Sequence, residues 1–387
     1  MRRCHVYLVP GFFGFKALGN ISYFHRVGDT LVQQLADRGI TARVDECRTN
    51  PAGSIRGRAE ELLQHVIDTG GLEAEELCFV GHSTGGLDIR LLLAPNVSLR
   101  ADRTEAEVAA RTRHVVTVAT PHYGSPLADF FTLIPGRQML QALSKVVTSG
   151  FGRVGIWAAA RAVALVAGVD GWVRRDSMLD AVSRSLLRHL TLRPDDPVFD
   201  FVRQVSVDQA AIIQITPECM DLFNAAVAPH PDVDYGCVVT GTPMPLFRYG
   251  PTDLLSAERL ALGGLYICIW ALTAREHKAY PYPTPPWEVA AQISAALGDP
   301  DLSGATNDGI VPTLSQVYGD LICAVPSDHY DVLGRFDTDA TLGDWLPSGT
   351  AFNEATFLSV WDQVAARLAS DVVGHVTPRA RGPALVA

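Results

Sequence analysis

Short β-branched runs alternate with amphipathic stretches along the first third of the chain. Residues 6–9, 41–46, 77–80 and 115–119 have the composition of strands, and helical patterns cover most of 21–38, all of 55–68, and 85–93. The helical period is clearest in the second of these, where Ile55, Ala59, Leu62, Leu63, Val66 and Ile67 share one face while Glu60, Glu61 and Gln64 face water. Strands separated by helices of this length predict an α/β protein with a mostly parallel sheet and helices on both faces.

The alternation stops near residue 127. From there to about 192 the chain reads as continuously helical and very apolar, through Phe130, Phe131, Leu133, Ile156, Trp157, Leu165 and Trp172. The strand pattern returns at 211–215 and 237–240. It is followed by a Pro-rich, aromatic stretch containing Tyr280-Pro281-Tyr282-Pro283-Thr284-Pro285-Pro286-Trp287, and a last strand over 321–325 and a helix over 354–368 close the pattern. This divides the chain into a first core part (1–126), an inserted helical lid (127–208), core (209–242), a second insertion (243–299), core again (300–372) and a loose tail (373–387). No internal repeat is present.

Composition narrows the class. Over 387 residues, hydrophobic side chains make up 48% and charged ones only 19%, which excludes a disordered chain, and 33 Gly with 24 Pro follow no fixed period, which excludes collagen. Thirty-two basic against 42 acidic residues give −10, with no basic block to track a phosphate backbone, so nucleic acid is not an expected partner. The cysteines Cys4, Cys47, Cys78, Cys219, Cys237, Cys268 and Cys323 lack the close spacing of zinc or redox motifs, although an oxidising compartment could pair Cys219 with Cys237. Met1-Arg2-Arg3 and the apolar run behind it mimic a signal peptide without a small-residue cleavage site, so the expectation is a cytoplasmic protein, signal-independent export leaving no mark. Residues 154–173 carry Arg161, Asp170 and three Gly, which opposes a transmembrane reading.

The chemistry starts at Gly81-His82-Ser83-Thr84-Gly85, a G-x-S-x-G pattern between an apolar strand and a helix. A strand-to-helix corner of this kind exposes the serine hydroxyl at a helix N-terminus, and its glycines make room where Cβ atoms would not fit. In this architecture an acid and then a histidine follow the serine along the chain. His329, just after the last predicted strand, meets the rule, whereas His375 lies in the tail. For the acid, Asp308 in Asn307-Asp308-Gly309 is preferred: Asp328 is adjacent to His329 and could not meet its ring end-on, and Asp301 and Asp320 lack a comparable loop. Two backbone donors must stabilise the oxyanion; Thr84 follows the nucleophile and Phe12 sits in the Gly-rich loop after the first strand.

Together these segments resemble the true bacterial lipases of the α/β-hydrolase fold, the Pseudomonas and Burkholderia type. The similarity runs through Val9-Pro10-Gly11-Phe12-Phe13-Gly14-Phe15, Ser54-Ile55-Arg56-Gly57, Gly81-His82-Ser83-Thr84-Gly85-Gly86, Ala119-Thr120-Pro121-His122-Tyr123-Gly124-Ser125, Ile215-Thr216-Pro217-Glu218, Asn307-Asp308-Gly309 and His329. The resemblance implies a triad of Ser83, Asp308 and His329, an oxyanion hole at Phe12 and Thr84, and a lid over an acyl pocket. Pro10 stands where the family carries His, so the loop must be braced from elsewhere. The family's structural calcium would use Asp331 and a side-chain oxygen four residues on, but that position is Arg335, a cation. The expectation is a cofactor-free serine carboxylic-ester hydrolase for medium- to long-chain acyl esters, working on lipid or at a lipid–water interface. A polyester depolymerase or acyltransferase would use the same triad; a silent lipid-binding module would be expected to have lost part of it.

Overall fold

A computed structural model describes residues 2–12, 23–50, 53–100, 102–132, 210–243, 266–336, 346 and 348–371. Six strands form one sheet: β1 (Arg2–Val9), β2 (Ile40–Glu46), β3 (Leu77–His82), β4 (Thr112–Val118), β5 (Asp234–Gly241) and β6 (Asp320–Pro326). All neighbours pair in parallel, in the order β2-β1-β3-β4-β5-β6. The chain therefore steps outward from β1 to β2 and then back across β1 to β3. Such a reversal opens a crevice at the carboxyl ends of the strands, where ligands bind in open α/β sheets.

β3 and β5 are buried at every position, as strands covered on both faces must be. Alternate residues feed two cores. Val6, Leu8, Cys78 and Val80 pack toward α1 (Val27–Asp37) and α9 (Glu354–Ala369), whereas Tyr7, Val9, Leu77 and Phe79 pack toward α2 (Ile55–Asp68), α3 (Gly85–Leu92) and α4 (Thr104–Arg111). Two helix starts are capped as sequence chemistry dictates: Ser54 Oγ accepts from Gly57 N at 3.1 Å and Asn353 Oδ1 from Thr356 N at 3.1 Å.

After β4 come α5 (Pro126–Thr132), α6 (Ala210–Gln214) and α7 (Pro217–Ala226), and α8 (Trp287–Leu297) precedes β6. The strand expected at 211–215 is therefore helix α6. Its short apolar run suits either state, and tertiary context decides: β4 and β5 pair directly, His114 opposite Asp234, leaving no slot between them. α1 begins only at Val27, because Arg26 adopts a left-handed φ of 64°. α4, α7 and α8 lie outside the helices expected from the sequence; α7 opens on Thr216-Pro217, with proline at its first turn. Cys219 and Cys237 are both free thiols, the first on α7, the second on β5 packed beneath α8.

The expected lid falls outside the described residues except for 127–132, as do the candidate membrane stretch 154–173, most of the first half of the second insertion and the tail with His375. Among the described residues no helix is long and apolar enough to cross a membrane.

Candidate active site

Ser83 sits at the corner between β3 and α3 with φ at 54°, a left-handed conformation that costs a non-glycine residue about 1–3 kcal/mol. The corner is held by Ser83 N donating to Val118 O at 2.9 Å. Its neighbours explain the glycines: a Cβ on Gly11 would lie 2.5 Å from Ser83 Cβ, and one on Gly85 would overlap the carbonyl of Val9. The loop after β1 thus packs directly on the serine.

Asp308 lies in the loop between α8 and β6, beside the end of β5 through the bridge of Asn307 with Thr242, and His329 follows β6. His329 Nδ1 and Asp308 Oδ2 are 2.9 Å apart, and both residues are buried. Asp308 Oδ2 also accepts from Thr240 Oγ1 at 2.7 Å and Gln316 Nε2 at 3.2 Å, while Oδ1 accepts from Ile310 N at 2.9 Å and Val311 N at 2.7 Å. The carboxylate is gripped on all sides, so its direction toward the imidazole is set. Asp328, next to His329, instead accepts from Tyr330 N and Asp331 N, turned away as adjacency requires. Burial pushes its carboxyl up to about 7.

A chain of hydrogen bonds ties the three loops together. Gly11 N donates to Tyr23 Oη at 3.1 Å, Tyr23 Oη meets His82 Nδ1 at 2.7 Å, and His82 Nε2 meets His329 O at 2.8 Å. A carbonyl can only accept, so Nε2 of His82 carries the proton and Nδ1 accepts from the tyrosine. Burial and the neighbouring His329 hold the His82 pKa well below the usual histidine value, which keeps the ring neutral.

The brace that Pro10 cannot supply comes from Arg58. This fully buried guanidinium donates to Pro10 O at 2.7 Å and Asn50 O at 3.0 Å, and it clamps Asp88 of α3 through Nε at 2.9 Å and Nη2 at 2.7 Å. Burial pushes the Asp88 carboxyl up to about 6 even against the pull of Arg58. The loop carrying Phe12 is thereby locked to the same helix that follows Ser83. Sequence patterning carried one overlooked sign of this: Arg58 falls on the apolar face of α2, three residues after Ile55 and four before Leu62. Tyr23, His82, Thr240 and Gln316 had no such mark.

Phe12, Ser83, Thr84 and His329 line one cavity of about 50 Å³, whose remaining walls are chiefly apolar, including Leu127, Ala128 and Phe131 of α5 and Ile212 of α6. That is a third of the roughly 150 Å³ that accepts benzene in an engineered core.

The residues present do not fit the calcium site implied by the family resemblance. Asp331 Oδ2 accepts from Asp328 N at 3.1 Å and Thr350 Oγ1 at 2.8 Å, and the second ligand position is Arg335, a buried guanidinium with no lone pair to offer.

Residues 35–155, under half of the chain, match the family described as "Putative serine esterase (DUF676)". Two triacylglycerol lipases, from Vibrio cholerae serotype O1 and Pseudomonas fragi, are each 27% identical over 38% of this chain. Those matches span 42% and 45% of the two relatives, so the chain covers less than half of their length. Among solved structures, EstA from Clostridium botulinum superposes with a TM-score of 0.51 at 16% identity, covering 96% of this chain and 88% of that one. Lipase 1 from Pelosinus fermentans gives 0.50 at 17% identity, covering 96% and 100%. Identities this low speak to fold alone. The chain has an α/β-hydrolase fold, its residues 35–155 are similar to a family described as putative serine esterases, and 38% of it is weakly similar to triacylglycerol lipases.

Proposed function

We propose that the protein is a serine carboxylic-ester hydrolase that cleaves medium- to long-chain acyl esters through an acyl-enzyme, on the plan of the Pseudomonas and Burkholderia lipases. One observation carries this reading: Ser83 and His329 line the same apolar-walled cavity, and Asp308 is hydrogen-bonded to the far nitrogen of the imidazole.

With Nδ1–H of His329 pointed at Asp308, Nε2 is left with the lone pair that removes the Ser83 proton as Oγ attacks the ester carbonyl. The oxyanion forms beside the elbow, where the N–H groups of Phe12 and Thr84 receive it; such donors are worth about 3–4 kcal/mol each in the transition state. His329 then passes its proton to the departing alcohol. Water, deprotonated by the same nitrogen, attacks the acyl-enzyme and releases the acid and free Ser83. Asp308 holds the imidazole in this orientation and supports the imidazolium that forms.

The test compares the protein with Ser83→Ala on p-nitrophenyl esters from acetyl to palmitoyl, following nitrophenol release. Activity that vanishes in the variant and peaks at octanoyl or longer supports the reading. Equal rates in the two proteins would remove Ser83 from the mechanism, and much faster cleavage of acetyl than of octanoyl esters would overturn the substrate class.

A further inference from the structure

Outside the Ser83 cavity, three side chains from distant parts of the chain converge. Asp129 lies on α5, Glu218 on α7, and His277 in the loop after helical residues 266–273; one ligand-type atom from each lies within 4.8 Å of the other two. All three are partly buried, and His277 Nε2 stands 2.9 Å from Glu218 Oε1. The cluster therefore sets two carboxylates and one imidazole together, drawn from two helices and a loop. A neutral oxygen is close by as well. The Tyr282 hydroxyl is buried without a hydrogen-bond partner among the described residues, and Asp129 and Glu276 are near enough to add to the effect of burial on it.

We propose that Asp129, Glu218 and His277 form a divalent-cation site, matched best by Zn²⁺, that pins α5 to α7. Two carboxylate oxygens and one imidazole nitrogen are borderline donors of the kind Zn²⁺ takes, and three protein ligands leave a fourth position for water or a hydroxyl such as that of Tyr282. Bonds of about 2.1 Å in a tetrahedron put ligand atoms about 3.4 Å apart. In the free protein His277 Nε2 donates to Glu218 Oε1; binding moves that proton off Nε2, whose lone pair then turns to the ion as the side chains rotate to this spacing.

The place of the cluster gives the ion a structural consequence. Asp129 is on the helix whose Leu127, Ala128 and Phe131 wall the Ser83 cavity, and Glu218 is on the helix just beyond α6, which supplies Ile212 to the same cavity. A bound cation therefore fixes that wall from behind. The site itself stands on its own geometry; only its bearing on ester cleavage rests on the proposed function.

The test uses the full chain carrying Ser83→Ala, stripped of metal and titrated with ZnCl₂ by calorimetry, with Co²⁺ as a spectroscopic probe. The expected result is one Zn²⁺ per chain, weakened more than about tenfold by Asp129→Asn and by His277→Gln, and Co²⁺ bands of oxygen and nitrogen ligation without thiolate charge transfer. Glu218→Gln alters a half-exposed side chain and gives a third variant that circular dichroism can verify as folded. Absence of saturable binding, binding unchanged in the variants, or a thiolate band from the cysteines would each overturn the site. Zn²⁺ binding in a protein whose wild-type form cleaves no ester would leave the site standing and remove the hydrolase reading instead.

Discussion

Asp308 shows how much one side chain can owe to its surroundings. Its Oδ1 is taken by two backbone N–H groups of its own turn, and its Oδ2 is shared by Thr240, Gln316 and His329. In Asp308→Asn the amide has one acceptor oxygen, so the NH₂ group must face either the two backbone donors or His329, and the imidazole loses its preferred tautomer. The expected outcome is a fall in kcat of about 10³–10⁴ with KM little changed, measured on p-nitrophenyl octanoate; an unchanged kcat would take Asp308 out of the site. The sequence picked out Ser83, Asp308 and His329 by the chain order expected of this architecture, and the structure brings Asp308 to His329 and sets Ser83 and His329 on one cavity. Thr240 and Gln316 were not legible in this way, since a hydroxyl on β5 and an amide near residue 316 become partners of one carboxylate only when the sheet forms.

At the level of elements, α2 and α3 act as one brace for the loop after β1. Arg58 and Asp88 are both fully buried and hold each other, and the same guanidinium holds Pro10 O. Removing one partner of a buried pair strands the other charge, at a cost of about 3–5 kcal/mol. Asp88→Asn and Arg58→Met are each expected to lower stability by roughly that amount in urea unfolding, whereas the double change Arg58→Met with Asp88→Leu costs much less than the sum. Additive losses would show that the two side chains do not act as a pair. The double variant still loses the anchor at Pro10, so its stability returns while its kcat stays low. The same scale accounts for the misread segment 211–215: α6 buries Ala211 and Ile212, leaves Ile213 exposed, and uses Gln214 Oε1 to accept from Ile55 N at 2.7 Å, a helix-capping contact that no local pattern announces.

Across the whole molecule, His82 couples β3, the loop bearing Tyr23 and the loop bearing His329. Its folded pKa lies well below 6.5 and its unfolded pKa near 6.5, so below that pH the unfolded chain binds a proton that the folded protein does not. Stability from this group is therefore intact above pH 6.5 and falls as the pH drops toward the folded pKa, by up to about 1.4 kcal/mol per pH unit. Asp328, raised to about 7 by burial, acts with the opposite sign between its unfolded value and 7. The difference between variant and parent isolates the histidine: His82→Gln, compared by urea unfolding at pH 7.5, 6.5 and 5.5, is expected to lose less stability on acidification than the parent. Parallel curves would mean that His82 is not held neutral.

What the sequence determined alone was local: the alternation of strands and helices, the glycine-flanked corner at Ser83, and the chain order that singles out Asp308 and His329. These follow from backbone sterics and side-chain periodicity within a few residues, which folding does not rewrite. Tertiary structure alone decided the partnerships that span long stretches of chain: Gly11 and Tyr23 with His82 and His329, Arg58 with Asp88 and Pro10, and Asp129 with Glu218 and His277. Hydrogen bonds and ion clusters of this kind depend on distances that exist only after the sheet has brought its loops to one edge, so no pattern of spacing along the chain records them.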